Sequence, residues 1–190
     1  MNLEKDTNYI ISGLERSGTS MLMQMINNAG ILTSFDDSRK PDTNNPKGYF
    51  ELEGGKIINR LMEKNFPFDE HKGKFIKITC YGLKFLPTGK YKIIYSERNI
   101  EEILDSMERM AKIKDDARDE TREIFLKLNN IIKKQIKSRD DIEVLFINYN
   151  DILKNPFENI NKIIDFLEIP KNLEEEMIKV VDPSLYRQRR

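Results

Sequence analysis

The sequence predicts an α/β fold of three layers, α/β/α, with helices on both faces of a central, mostly parallel sheet, built as one domain over residues 1–190. Three observations predict it. A short apolar run, NYIISG (8–13), passes through a glycine-spaced loop into an amphipathic segment. Further apolar runs then alternate with stretches of helical periodicity, the pattern of parallel strands joined by crossover helices. No internal repeat and no low-complexity linker interrupts that alternation.

The elements follow in order. Residues 8–13 read as a buried strand because their apolar run is short and ends at Gly13. TSMLMQMINNAG (19–30) carries apolar residues at helical spacing and stops at Asn28-Ala29-Gly30. Residues 33–49 are rich in Asp, Asn and Pro and read as a long, functional loop. Residues 51–65 read as a helix in spite of Gly54 and Gly55, and 74–79 and 90–97 as strands. A helix is predicted over 99–113 with Asn99 as its N-cap, and a longer amphipathic one over 117–138. A strand at 142–149 is followed by a helix over 156–169 with Pro156 in its first turn. A short helix over 173–181 leads into a basic tail, DPSLYRQRR.

Composition narrows the function. The 32 Lys and Arg balance the 32 Asp and Glu, which argues against a general nucleic-acid binder. The one cysteine, Cys80, allows no intramolecular disulfide and fits a reducing compartment. The N-terminal residues lack the basic start and apolar middle of a signal peptide, and no run of about 18 apolar residues occurs. The expectation is a cytoplasmic protein without a membrane span. Its oligomeric state is not encoded in any pattern read here.

The loop itself carries the chemistry. Gly13-Leu14-Glu15-Arg16-Ser17-Gly18-Thr19-Ser20 has the spacing G-x-x-x-x-G-K-[ST] of a nucleotide phosphate loop, with Thr19 where the lysine stands. Backbone amides and a helix N-terminus hold an anion whatever the side chains are. In a triphosphate-binding loop the lysine adds charge near the transferring phosphate and the adjoining hydroxyl holds Mg²⁺. Here Thr19 and Ser20 supply hydroxyls only, and Arg16 is the nearby cation, its fork suited to paired phosphate or sulfate oxygens. Such a loop fits a phosphosulfate better than a triphosphate, and no metal is expected.

GLERSGTSML (13–22) resembles the 5′-phosphosulfate loop of the sulfotransferases, particularly bacterial members with G-x-x-R-S-G-T-S-x-L. The resemblance implies a P-loop NTPase-like fold and 3′-phosphoadenosine 5′-phosphosulfate (PAPS) as donor, with the bisphosphate PAP as product. It extends to IIYSERNIEEILDSM, where Arg98 ends a strand and Ser106 follows eight residues later, the spacing of the family's 3′-phosphate ligands. It also covers 145–170, where Tyr149 and Asp151 are read as fixing the turn from strand to helix. The tail resembles the ending of short bacterial relatives. Arg187, Arg189 and Arg190 are candidates for the 3′-phosphate, beside the plain alternative of a solvated basic terminus.

Transfer to a hydroxyl or amine needs a base. His71, the one histidine, lies in a polar turn, FDEHKGK, with no matching motif and reads as a surface residue. Gly48-Tyr49-Phe50-Glu51 is similar to the G-[FWY]-[FWY]-E pattern that carries a glutamate base in other relatives. Aromatic neighbours would desolvate Glu51 and sharpen it as a base, while a carboxylate beginning a helix is the structural alternative. Asp36, Asp37 and Asp42 are weaker choices on the same loop. The loop 33–49 and the stretch 112–119 are expected beside the acceptor, which no pattern names. Arg16 offers charge and hydrogen bonds to the leaving oxygen but no proton. Two other readings stay open: a module that binds PAPS or PAP without turnover, and a P-loop kinase or NTPase.

Overall fold

The computed structural model describes residues 3–185. Four strands form one sheet in the order β2-β1-β3-β4: β1 (Asn8–Gly13), β2 (Phe75–Lys77), β3 (Tyr91–Glu97) and β4 (Ile142–Asn148). Every pairing is parallel, with Ile10 and Ile11 of β1 opposite Ile93 and Ile94 of β3. Because the strands are parallel, all four carboxyl ends reach the same edge of the sheet, where open α/β folds bind ligands.

Alternation along β1 and β3 sends side chains into two separate cores. Tyr9, Ile11, Phe75, Ile94 and Ile147 pack with α1 (Thr19–Asn28), α7 (Pro156–Leu167) and α8 (Glu174–Ile178). Ile10, Ile76, Tyr91, Ile93 and Tyr95 pack with α2 (Ile57–Met62), α4 (Ile100–Ala111), α5 (Arg118–Lys137) and a 3₁₀ segment, Cys80–Phe85. The three-layer expectation therefore holds. Each fully buried isoleucine contributes about 1.5–3 kcal/mol, and Ile10, Ile11, Ile93 and Ile94 are all fully buried.

The helix expected over 51–65 begins late. Gly54 and Gly55 take φ of 62° and 87°, which ends a 3₁₀ turn at Glu53–Gly55 before α2 begins at Ile57. A four-residue helix, α3 (Phe68–His71), follows it. The strand expected to end at Tyr149 ends at Asn148, whose side chain accepts hydrogen bonds from the amides of Asn150 and Asp151 and caps a short helix, α6 (Tyr149–Lys154). Asn99 caps α4 as expected, accepting from the amide of Glu101. Among the described residues no helix is long and apolar enough to cross a membrane.

Candidate active site

A cleft of about 410 Å³ lies along the carboxyl edge of the sheet. Each strand delivers residues to it: Gly13 and the loop after β1, Lys77 to Thr79 at the end of β2, Arg98 after β3 and Tyr149 after β4.

The loop after β1 is bent by positive φ at Arg16 (67°) and Gly18 (103°), the second a conformation that side chains rarely adopt. Such alternation turns amides toward one point. Gly18 caps α1, so the amides of the first turn, Gly18 to Ser20, have no helical carbonyl to bond and face outward with the positive end of the helix. A Cβ on Gly18 would fall into the ring of Tyr149. Gly18→Ala is therefore expected to cost about 1–3 kcal/mol through backbone strain alone, with a further loss of anion binding. Thermal denaturation and PAP calorimetry would measure the two separately.

Ser17 is the one predicted loop residue that does not line the cleft. It is fully buried, its amide donates to Leu14 O at 3.1 Å, and its carbonyl accepts from Ser96 Oγ at 2.7 Å. The motif spacing places it correctly in the loop, but its side chain is buried, and its backbone carbonyl ties the loop to β3. Thr19 and Ser20 line the cleft as expected.

Arg16 is half-buried, and its Nε donates to Ser106 Oγ at 2.9 Å. No carboxylate pairs with it among the described residues. Burial pulls its guanidinium below the ordinary arginine value, with nearby Arg98 and Arg39 acting the same way; an arginine nonetheless stays charged. Arg98 is not the surface residue that a lone arginine would suggest. Its side chain is 8% exposed, its Nε pairs with the fully buried Glu102 at 2.9 Å, and its Nη1 donates to Arg16 O at 3.0 Å. Its guanidinium stands 4.6 Å above the Tyr149 ring. Thus Arg16, Arg98 and Ser106, 82 and 90 positions apart in sequence from the loop, meet in one corner of the cleft.

Two cations at the other end were not read from the sequence. Lys77 is 8% exposed, and its ammonium donates to Ser20 Oγ at 3.0 Å, Tyr49 O at 2.9 Å and Glu51 Oε1 at 2.9 Å. Burial lowers its basicity, and the Glu51 carboxylate opposes that. Arg39 donates from Nη1 to Glu51 Oε2 at 3.0 Å and lies 3.5 Å from the centre of the Tyr49 ring. Glu51 thus lines the cleft, and the side chains paired with its carboxylate are two cations. Lys77 falls inside the strand expected over 74–79, and only the shorter observed strand, Phe75–Lys77, puts it at the ligand edge of the sheet. Arg39 had no signal beyond its place in a polar loop.

The rival bases fare differently. Asp36 turns the loop by accepting from the amides of Ser38 and Glu53. Asp42 accepts from the Tyr49 hydroxyl and the amides of Asn44 and Asn45. His71 is half-buried, not a surface residue: it stacks on Phe66 at 5.2 Å, and the cleft wall does not include it. The wall reaches α4 at Arg109 and Met110 and does not extend to 112–119. Arg187, Arg189 and Arg190 lie outside the described residues.

Among the described residues five cations line the cleft (Arg16, Arg39, Lys77, Arg98 and Arg109) against three carboxylates (Glu15, Glu51 and Asp182), in a chain of zero net charge. Fold and site together define a P-loop α/β protein whose amides, hydroxyls and cations suit a polyanionic nucleotide. The chain belongs to the sulfotransferase family, described as "Sulfotransferase domain", which matches residues 6–190. Its fold is shared by mouse sulfotransferase SULT7A1 complexed with PAP, at 18% identity and a TM-score of 0.57, over 100% of this chain and 68% of that one. The sulfotransferase domain of the Synechococcus PCC 7002 olefin synthase is similar at 15% identity and a TM-score of 0.59, over 97% and 83%. Retinol dehydratase in complex with androsterone and inactive cofactor PAP is similar at 16% identity and a TM-score of 0.53, over 94% and 65%. No curated protein matches the sequence significantly.

Proposed function

We propose that this chain is a PAPS-dependent sulfotransferase that moves a sulfuryl group to a hydroxyl or amine, with Glu51 as general base, in a cytoplasmic setting. The observation that carries the reading is Arg16: a half-buried guanidinium in a glycine-bent loop at a helix N-terminus, without a carboxylate of its own among the described residues. A buried cation so placed is relieved by a bound anion.

The residues present fit the donor. Arg16, the first-turn amides and the Thr19 and Ser20 hydroxyls would hold a 5′-phosphosulfate, and Arg98 with Ser106 would hold a 3′-phosphate. Arg187, Arg189 and Arg190 are proposed to assist there. PAPS, when bound, would supply the transferable sulfuryl group. Lys77 takes up the work of the missing loop lysine from the neighbouring strand, because its ammonium touches Ser20 Oγ, the hydroxyl that meets Mg²⁺ in triphosphate loops. It stabilises charge on the departing phosphate oxygen and, unlike Arg16, has a proton to give.

Glu51 is the base because of where it sits. Glu15 is exposed, and Asp182 pairs with Lys47 at 3.4 Å on the rim. Glu51, 11% exposed, reaches Lys77 and through it the loop. Its role is to accept the acceptor's proton as the new O–S or N–S bond forms. Glu51→Gln is expected to lower turnover of PAPS about 10²–10⁴-fold and to leave PAP affinity within threefold. Unchanged turnover would remove Glu51 from the role. Tight PAP binding with no turnover in the wild type, tried against phenols, alcohols and amines, would favour the binding-module reading.

A further inference from the structure

Glu51 lies outside any regular helix or strand; its carbonyl accepts from the Asp36 amide at 3.0 Å, which fixes the backbone but not the direction of the carboxylate. Its orientation comes from two side chains. Lys77, from β2, holds Oε1 at 2.9 Å, and Arg39, from the segment 33–49, holds Oε2 at 3.0 Å. These two grips differ in kind. Lys77 is anchored by three acceptors on three different residues, whereas Arg39 is anchored by its flat face on Tyr49.

Tyr49 is in turn fixed. It is buried, and its hydroxyl donates to the Asp42 carboxylate at 2.9 Å. Asp42 is held in its turn by the amides of Asn44 and Asn45. A chain of contacts therefore runs from Asp42 through Tyr49, Arg39, Glu51 and Lys77 to Ser20 of the phosphate loop. A planar guanidinium held over a ring, with one N–H on a carboxylate oxygen, sets direction as well as charge.

Resting on the reading of Glu51 as base, we propose that Arg39 is a positioning residue: it aims the Glu51 carboxylate at the acceptor and couples the segment 33–49 to the phosphate loop. Two cations pair with the carboxylate: Lys77 on one oxygen, and Arg39, with the Tyr49 ring against its guanidinium, on the other. Arg39 itself touches neither the loop nor, on this account, the reacting atoms.

The test uses the full chain as Arg39→Ala and Arg39→Lys, labelled with ¹³C at glutamate carboxyl carbons, the Glu51 signal being assigned with Glu51→Gln. The expected result in Arg39→Ala is a broadened or doubled Glu51 signal, a loss of about 10–100-fold in kcat for release of PAP from PAPS with water or 4-nitrophenol as acceptor, and PAP affinity within twofold of wild type. Arg39→Lys restores charge but not the planar group over the Tyr49 ring, and is expected to recover only part of kcat; added guanidinium is expected to rescue Arg39→Ala more than Arg39→Lys. A Glu51 signal in Arg39→Ala that superimposes on wild type overturns the proposal, whatever the activity. If Glu51→Gln retains turnover while Arg39→Ala still disturbs the Glu51 signal, the base assignment fails and the positioning contact stands.

Discussion

Replacing Lys77 with alanine is expected to lower sulfuryl transfer about 10²–10³-fold, the effect of removing one well-placed donor from a developing negative charge. The ammonium is buried, saturated by three acceptors, and set against the Ser20 hydroxyl at the reacting end of the loop. Its loss also leaves Ser20, the Tyr49 carbonyl and one oxygen of Glu51 short of a donor. Arg39 still holds the other oxygen, so the fold is expected to lose only about 1–3 kcal/mol, the cost of an unsatisfied buried group. Lys77→Arg keeps the charge but needs more room. It is expected to fall between wild type and alanine in stability and near alanine in rate. Single-turnover measurement of PAP release against PAP affinity separates the two effects: the rate should collapse while the bisphosphate still binds. A Lys77→Ala protein with wild-type rate would leave the missing loop lysine without a successor.

The second large effect is on folding. Arg98→Ala removes the cation from Glu102, which is fully buried. Breaking a buried pair by deleting one partner costs about 3–5 kcal/mol, and for a chain of this size each kcal/mol lowers Tm by about 2–4 °C. The deletion also removes the donor to Arg16 O, which helps hold the left-handed turn of the phosphate loop. Stability and donor binding should fall together. Arg98→Met with Glu102→Leu distinguishes structure from ligand contact, because an apolar pair of similar volume often matches a buried ion pair in stability. The double variant is expected to regain most of the lost Tm, with PAP affinity still reduced. Full recovery of affinity would make Arg98 a brace for the loop and nothing more.

Much of this was legible in the residues. Short apolar runs bounded by glycine and polar turns mark β1, β3 and β4, and parallel packing explains why they lack alternation. The glycine spacing located the loop, and the family resemblance, carried by Arg98 and Ser106 eight residues apart, implied that both face the same pocket. What escaped has identifiable causes. Gly54 and Gly55 carry left-handed backbone that periodicity does not register, so α2 starts later than its apolar pattern. Spacing tells where Ser17 stands but not that its side chain is fully buried. Lys77 looks like an interruption in a core strand until β2 is known to lie beside β1, with its end at the cleft. Arg39 is one charge in a polar segment, and only the fold shows which charge turns inward.

The central claim is that a loop cation and helix-end amides grip a nucleotide bisphosphate without a metal. Calorimetry of the wild type and Arg16→Ala with PAP, in chelator, and with Mg²⁺-ATP tests it most directly. The account predicts that PAP binds in chelator, that it binds more tightly than Mg²⁺-ATP, and that Arg16→Ala weakens it by about 1.5–3 kcal/mol. No heat with PAP, tighter binding of Mg²⁺-ATP, or an Arg16→Ala protein with wild-type affinity would contradict it.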